Sequence, residues 1–555
     1  MYQNYLILGG AGLVGLQVCR HIVMRLDPKR IVVASLREHE AVAACEKLTA
    51  EFGEQVAFVP AWGNLFVPSD LSGAGRGEMI STSSTRRRLL AALYDDFEAA
   101  YADNHLVTMI RDHRPEVIVD CVNTATGISY QDVFDGAAKV RSWIKDDSFD
   151  EAGVLDLEAL LLSQTGPQLI RHVRFVHRAT TEHKTRVYLK VGTTGTGGMG
   201  LNIPYTHSED KPSRKLLAKN ETAFGHTGLM FLLARTPDAP IVKEVKPAAM
   251  IGYRGVRVVQ TTDRYNNSDL YTPHEVALSD RTLDLREAVD GYDKDGILEV
   301  PVVDTGENGV FTRGEFAAIT ALGQMEYITP EEIAKVIVLE IRGANTGQDV
   351  ISAMDASVLN PSYKAGLLRG TALKDLALTE QESGIPSVAL GKLGPPELSK
   401  LLFEAFLFKY AAGTLGAVVS TEPADLSAAL AKALGPSGVA RTAPSIGIPI
   451  LMPDGERVLR GPRINVPEVV GHATSVSLAD NAQREKWIRS GWIDLRPSNM
   501  ETWVARFGKM LQARAVLRDA GSAAASIRTY MRDDLEIGEV VAWIFNNEMG
   551  GYRVK

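Results

Sequence analysis

Short apolar runs, each followed by a stretch whose apolar residues recur at helical spacing, organise the first part of the chain. Tyr5 to Leu8 is apolar throughout and reads as a buried strand. Leu16 to Leu26 then places Val18, Ile22, Val23 and Leu26 on one face and reads as a helix. Further strands are expected at Arg30–Ser35, Gln55–Pro60, Pro115–Val122, Thr185–Val191 and from Ile241 onward. Pro68–Ser84, rich in Gly and Ser, reads as irregular, and Arg86-Arg87-Arg88 opens a helical stretch to about Arg111 as a solvated helix start. Helical segments follow around Tyr130–Ile144 and Val154–Arg174. Strands alternating with helices predict an α/β class fold with a doubly wound parallel sheet.

From about Arg254 the pattern changes. Val256–Thr262 and Leu298–Val303 suggest a mixed region. Thr329-Pro-Glu-Glu332 is a helix start, with Thr329 as N-cap, and the helix continues through Ile333, Val336, Ile337 and Ile341. The remainder reads as mostly helical, with a hairpin at Ile446–Arg460 around Asp454-Gly455. Leu398–Tyr410 is strongly apolar, either core or an oligomer face, and Trp487, Trp492, Trp503 and Trp543 read as core. The expected domains are 1–255, 256–345 and 346–555.

The 555 residues exceed what one core holds. A formal net charge of −8 argues against a nucleic-acid partner. Cys19, Cys45 and Cys121 form no CxxC pair and read as small buried hydrophobes of a reducing compartment. No leader and no apolar run of about 18 residues is evident, so a cytoplasmic protein with no membrane partner is expected. A homo-oligomer acting on a small-molecule substrate is expected as well. Asp293-Lys-Asp-Gly296 superficially suggests a calcium loop, but Val302 stands where the bidentate glutamate belongs, so no metal is expected.

The candidate chemistry begins at Gly9-Gly-Ala-Gly-Leu-Val-Gly15, between the first strand and the first helix. Gly10 permits the tight turn, Gly12 lets backbone approach a pyrophosphate, and Gly15 lets helix and strand pack closely. Gly9, Gly12, Leu13, Val14 and Gly15 would then present backbone N–H groups and the positive end of a helix dipole to phosphates. Arg37, at the end of the second strand, sits where such a fold meets the adenosine ribose and would pair with a 2′-phosphate; the alternative is a solvated arginine. The cofactor reading is therefore NADP, with NAD possible. Asn123 opens the small-residue stretch after the fourth strand that would lie along ribose and nicotinamide.

These features, with Gly63-Asn-Leu65, the strand ending at Asn123-Thr-Ala and the stretch Val191 to Lys219, resemble the extended short-chain dehydrogenase/reductase family, which includes nucleotide-sugar epimerases and dehydratases. The resemblance covers about residues 1–255 and implies a Rossmann sheet and NAD(P)-dependent oxidoreductase chemistry. It implies Asn64 and Leu65 near adenine, Thr194 or Thr193 as the hydroxyl that orients a carbonyl, and Lys219 as the lysine that holds the ribose. The family's tyrosine falls at Lys215, and Asn64 replaces an acidic residue. Tyr205 as substitute phenol, Lys215 as acid/base, a site without redox chemistry, and a shifted register remain open. The expected function is reduction or oxidation at a carbonyl or hydroxyl of a polar small molecule. The alternatives are an epimerase or dehydratase that retains its cofactor, and a non-catalytic dinucleotide-binding subunit.

Overall fold

Alternation decides the first half of the architecture. β1 (Asn4–Leu8), β2 (Arg30–Ser35), β3 (Ala57–Trp62), β4 (Val117–Asp120), β5 (Val187–Val191) and β6 (Ile241–Val245) form one sheet of order β3-β2-β1-β4-β5-β6. All its pairings are parallel. The chain reverses direction of winding between β1 and β4, the switch point outside whose carboxyl ends such sheets bind ligands. The helices of this part are α1 (Leu13–Leu26), α2 (Glu38–Phe52), α3 (Arg76–Ser81), α4 (Ser83–Tyr94), α5 (Phe97–Asp103), α6 (His105–His113), α7 (Val133–Lys145), α8 (Glu151–Leu162), α9 (Thr165–Glu182) and α10 (Arg214–Ala234).

The structure is a computed structural model. It describes the chain except residues 1, 124–126, 130, 146–149, 193–213, 247–250, 264–265, 279–281, 307–308, 322–327, 345, 347–362, 394–395, 467–474, 479, 520–533 and 549–555. The described residues within Met1–Gly198, Pro212–Gly252 and Tyr327–Ser362 form one compact unit, and those within Tyr253–Glu326 and Tyr363–Lys555 a second.

Successive strand residues point to opposite faces, so the first unit has two cores. On one face Ile7, Val33, Val119 and Leu189 pack with Val18 and Ile22 of α1 and with Ile333, Ile337 and Ile341 of the Pro330–Ile341 helix. That helix begins on a Thr329/Glu332 capping box with Pro330 in the first turn, as its sequence predicts. On the other face Leu6, Leu8, Ile118 and Tyr188 pack with Leu106 and Ile110 of α6, Val176 of α9 and Met230 of α10.

The stretch from Arg86 to Arg111 departs from one continuous helix. It is broken twice, because Asp96 and Asn104 turn their side chains onto the N–H groups of Ala99 and Val107 and start new helices at α5 and α6. Of the three arginines Arg86 is not solvated, while Arg87 and Arg88 are exposed as the solvated start expects. Arg86 is buried, pairs with Glu158 at 2.8 Å and donates to the Ile80 and Ser81 carbonyls. Arg87 reaches the same carboxylate at 3.2 Å, and Arg88 pairs with Asp103. Pro68–Ser84, expected to be irregular, includes α3.

In the second unit Gly255–Gln260, Glu299–Asp304 and Val310–Phe311 form an antiparallel sheet. A four-stranded sheet joins Ile493–Asp494, Ile450–Leu451, Arg457–Arg460 and His274–Ala277. The predicted hairpin is present, with Ile450 opposite Leu459 and Gly455 at φ +72° in its turn. Leu398, Leu401, Phe403 and Phe408 of the Pro396–Ala412 helix are buried, so that apolar run is core, while Tyr410 at its end is exposed. Trp487, Trp492, Trp503 and Trp543 are all buried, and Trp503 donates to Glu404 at 2.7 Å.

Candidate functional site

The glycine-rich loop owes its shape to missing side chains. Gly9 has φ +72°, a conformation that favours glycine. A Cβ there would lie 3.2 Å from the carbonyl carbon and oxygen of Cys121, in the loop leaving β4. A Cβ on Gly10 would meet Val33 Cγ1 at 2.8 Å and the Ile7 carbonyl at 2.9 Å. A Cβ on Gly15 would run into the Gly9 carbonyl oxygen and stand 2.7 Å from Gly10 Cα. α1 therefore starts hard against the end of β1. Gly12 is its N-cap and supplies no side-chain hydrogen bond, and the first turn carries no acidic residue. The N–H groups of Leu13, Val14 and Gly15 thus face outward at the positive end of the helix. The cradle fits a diphosphate: anion-seeking donors, no competing carboxylate in that turn and no Cβ in the way.

Arg37 is exposed and is the N-cap residue of α2, whose first turn holds Glu38 and Glu40. Glu40 accepts from the Ser35 hydroxyl at 2.7 Å. Exposed Glu38 beside Arg37 gives this corner an acceptor for a ribose hydroxyl as well as a cation for a 2′-phosphate. Asn64 accepts from the Phe66 N–H at 3.0 Å through its side-chain oxygen, and Leu65 is buried in the core, so Leu65 offers only its backbone to a ligand. Asn123 follows Val122 on the loop leaving β4 and is half-buried. Thr193, Thr194 and Tyr205 lie outside the described residues, as do the side chains of Lys215 and Lys219. Positions 215 and 219 both fall within α10, four residues apart on one helix.

The sequence reading missed a buried ionic row. Register places Ala61, Ala34, Leu8, Asp120, Lys190 and Glu244 side by side across the six strands. The first three are apolar; the last three are an acid, a base and an acid, exposed by only 3%, 2% and 1%. Lys190 Nζ lies 3.0 Å from Asp120 Oδ1 and donates to the Val122 carbonyl. Asp120 also accepts from the Val122 N–H at 2.9 Å and from the Tyr188 hydroxyl at 2.7 Å. Glu244 sits 3.5 Å from Lys246 Nζ, accepts from the Thr227 hydroxyl at 3.4 Å, and fills the space a Cβ on Gly192 would need. His172 of α9 and His226 of α10 are buried 5.7 Å apart, ring centre to ring centre.

Electrostatics follow from burial. Burial alone raises the Asp120 carboxyl, but the Lys190 ammonium and the Tyr188 hydroxyl bring it below the usual carboxylate range. At Glu244 burial outweighs Lys246, Lys190 and the Thr227 hydroxyl and holds the carboxyl above that range. Burial lowers Lys246, pushes His172 down to about 4 and takes His226 well below its ordinary value. The sequence signal of the row was a charged residue at the last or penultimate position of three strands, with β4 otherwise apolar and β6 carrying Lys243 as well.

The sequence model described as Beta-methylindole-3-pyruvate reductase C-terminal domain matches residues 268–549. Among solved structures the chain is similar to a short-chain dehydrogenase from Sphingobium yanoikuyae in complex with NADPH, at 15% identity over 45% of this chain and 72% of that chain, TM-score 0.24. It is also similar to a 3-oxoacyl-[acyl-carrier protein] reductase from Brucella melitensis, at 14% identity over 44% and 68%, TM-score 0.25. A short-chain dehydrogenase/reductase from Serratia marcescens aligns at 11% identity over 61% and 89%, TM-score 0.26. No curated relative matches the chain.

Proposed function

The chain belongs to the family defined by the Beta-methylindole-3-pyruvate reductase C-terminal domain, and from there we propose that it is a nicotinamide-dinucleotide-dependent reductase of a 2-oxo acid with an aromatic side chain. The observation that carries this reading is the loop Gly9–Gly15, which sets an uncapped helix end at the switch point of a parallel sheet. Gly9, Gly12, Leu13, Val14 and Gly15 would hold the diphosphate, Arg37 a 2′-phosphate, Asn64 and Leu65 the adenine, and Asn123 the ribose of the nicotinamide half. When bound, the dihydronicotinamide supplies the hydride that converts a ketone to an alcohol.

The chain must then orient the ketone and give its oxygen a proton. We assign orientation to Thr194, the ribose contact to Lys219, and the proton to Tyr205, with Lys215 as the alternative donor. NADP is the preferred cofactor on the strength of Arg37, with NAD the alternative because Glu38 shares its corner.

The test is to mix the purified protein with NADPH or NADH and a panel of 2-oxo acids, among them β-methylindole-3-pyruvate, indole-3-pyruvate and pyruvate, and to follow loss of the reduced cofactor. Oxidation that depends on an aromatic 2-oxo acid is expected. Dinucleotide binding without turnover on any of them would instead mark a binding subunit. A cofactor that copurifies and shows no net redox change would mark an epimerase or dehydratase.

A further inference from the structure

We propose that Asp120 and Lys190 are positioning residues of the dinucleotide site, their buried ion pair clamping Val122 so that the loop leaving β4 is preset against the glycine loop. The inference rests on the dinucleotide reading of Gly9–Gly15.

The geometry is specific. Asp120 accepts the Val122 N–H, and Lys190 donates to the Val122 carbonyl. Both polar groups of one loop residue are therefore held by the two members of one ion pair. The residue before it, Cys121, donates to the Leu8 carbonyl at 2.8 Å and lies against Gly9. The residue after it is Asn123. Two site loops, one leaving β1 and one leaving β4, are thus held at a fixed distance from each other.

The chemistry argues that the pair serves more than packing. Burying two charges side by side is costly, and apolar residues of similar volume commonly give a core at least as stable. The same row of the sheet is built that way at Leu8, Ala34 and Ala61. The ions occur in β4, β5 and β6, on the other side of β1 from β2 and β3, and β4 is the strand whose exit loop meets the glycine loop. Tyr188 satisfies the other oxygen of Asp120, so both carboxylate oxygens are hydrogen-bonded and the pair is held in one geometry.

The experiment is the double variant D120N/K190M, which keeps side-chain volumes while removing the charges and the Lys190 donor. Its NADPH affinity is measured by calorimetry and its thermal midpoint by circular dichroism. The expected result is a midpoint equal to or above that of the unmodified protein, with NADPH bound at least tenfold more weakly. Unchanged affinity in a folded variant overturns the clamp. If the unmodified protein binds neither NADPH nor NADH, the dinucleotide reading itself fails, which is a distinguishable result. Should the variant not fold, hydrogen exchange in the unmodified protein decides. The Val122 and Asn123 amides are expected to exchange slowly without ligand and to change little when NADPH is added. Fast exchange that slows only with NADPH would show a loop ordered by ligand and overturn the proposal.

Discussion

Single atoms set the glycine loop, so single substitutions test it. The hydrogen that Gly15 carries in place of a methyl lets α1 approach the Gly9 carbonyl. Gly15→Ala forces that helix away, and overpacking of this kind costs about 1–3 kcal/mol. Chemical denaturation is expected to show that loss, and calorimetry a weaker dinucleotide complex; an alanine variant as stable and as avid as the parent refutes the packing account. Arg37→Asp exchanges a cation for a second acceptor beside Glu38, and the ratio of NADPH to NADH affinity is expected to fall at least tenfold. An unchanged ratio removes Arg37 from cofactor selection. The glycines were legible because their spacing lies between a strand and a helix. Asp120, Lys190 and Glu244 were not, because each alone looks like the polar end of a strand. Only the register, which sequence spacing does not encode, shows that they are neighbours.

Between helices and strands, the informative contact is the one that α9 and α10 make with the ionic row. His172 and His226 sit buried there, His172 in the field of Asp120 and Lys190 and His226 lining one pocket with Lys190, Glu244 and Lys246, and burial keeps both rings neutral. In the unfolded chain each titrates near 6.5, about the ordinary histidine value. The folded state therefore binds fewer protons between roughly that value and the His172 value of about 4. Stability is full above the unfolded value and falls as pH drops through this window, on the order of 3 kcal/mol for His172. Urea unfolding at neutral pH and near pH 5 measures it, and His172→Gln is expected to flatten the dependence. A parent protein equally stable at both would mean the histidine is not protected. Capping was legible at this level, as at Thr329-Pro330. The breaks at Asp96 and Asn104 were missed because the apolar spacing runs through both caps and hides them.

Taken as a whole, the chain holds two compact units of separate core, so unfolding is expected in two calorimetric transitions. Saturation with NADPH at about a hundredfold above its dissociation constant stabilises the binding unit by about 2.7 kcal/mol. One transition is expected to move upward and the other to stay; a uniform shift of a single transition would show that the units unfold together. The parallel sheet was legible from alternation of strand and helix. The assignment of Pro330–Ile341 to that unit was not, because an amphipathic helix announces an apolar stripe but not the surface that receives it.

That distant helix has a consequence for biosynthesis. Ile251 donates to the Ile328 carbonyl at 2.8 Å, where the polypeptide departs from the first unit and comes back to it. Val18, Ile22 and Leu26 share their core with Ile333, Ile337 and Ile341. On a translating ribosome the sheet and α1 emerge long before this covering segment does. Until Ile341 has been synthesised and released, the nascent protein carries a greasy strip open to chaperones and to neighbouring chains.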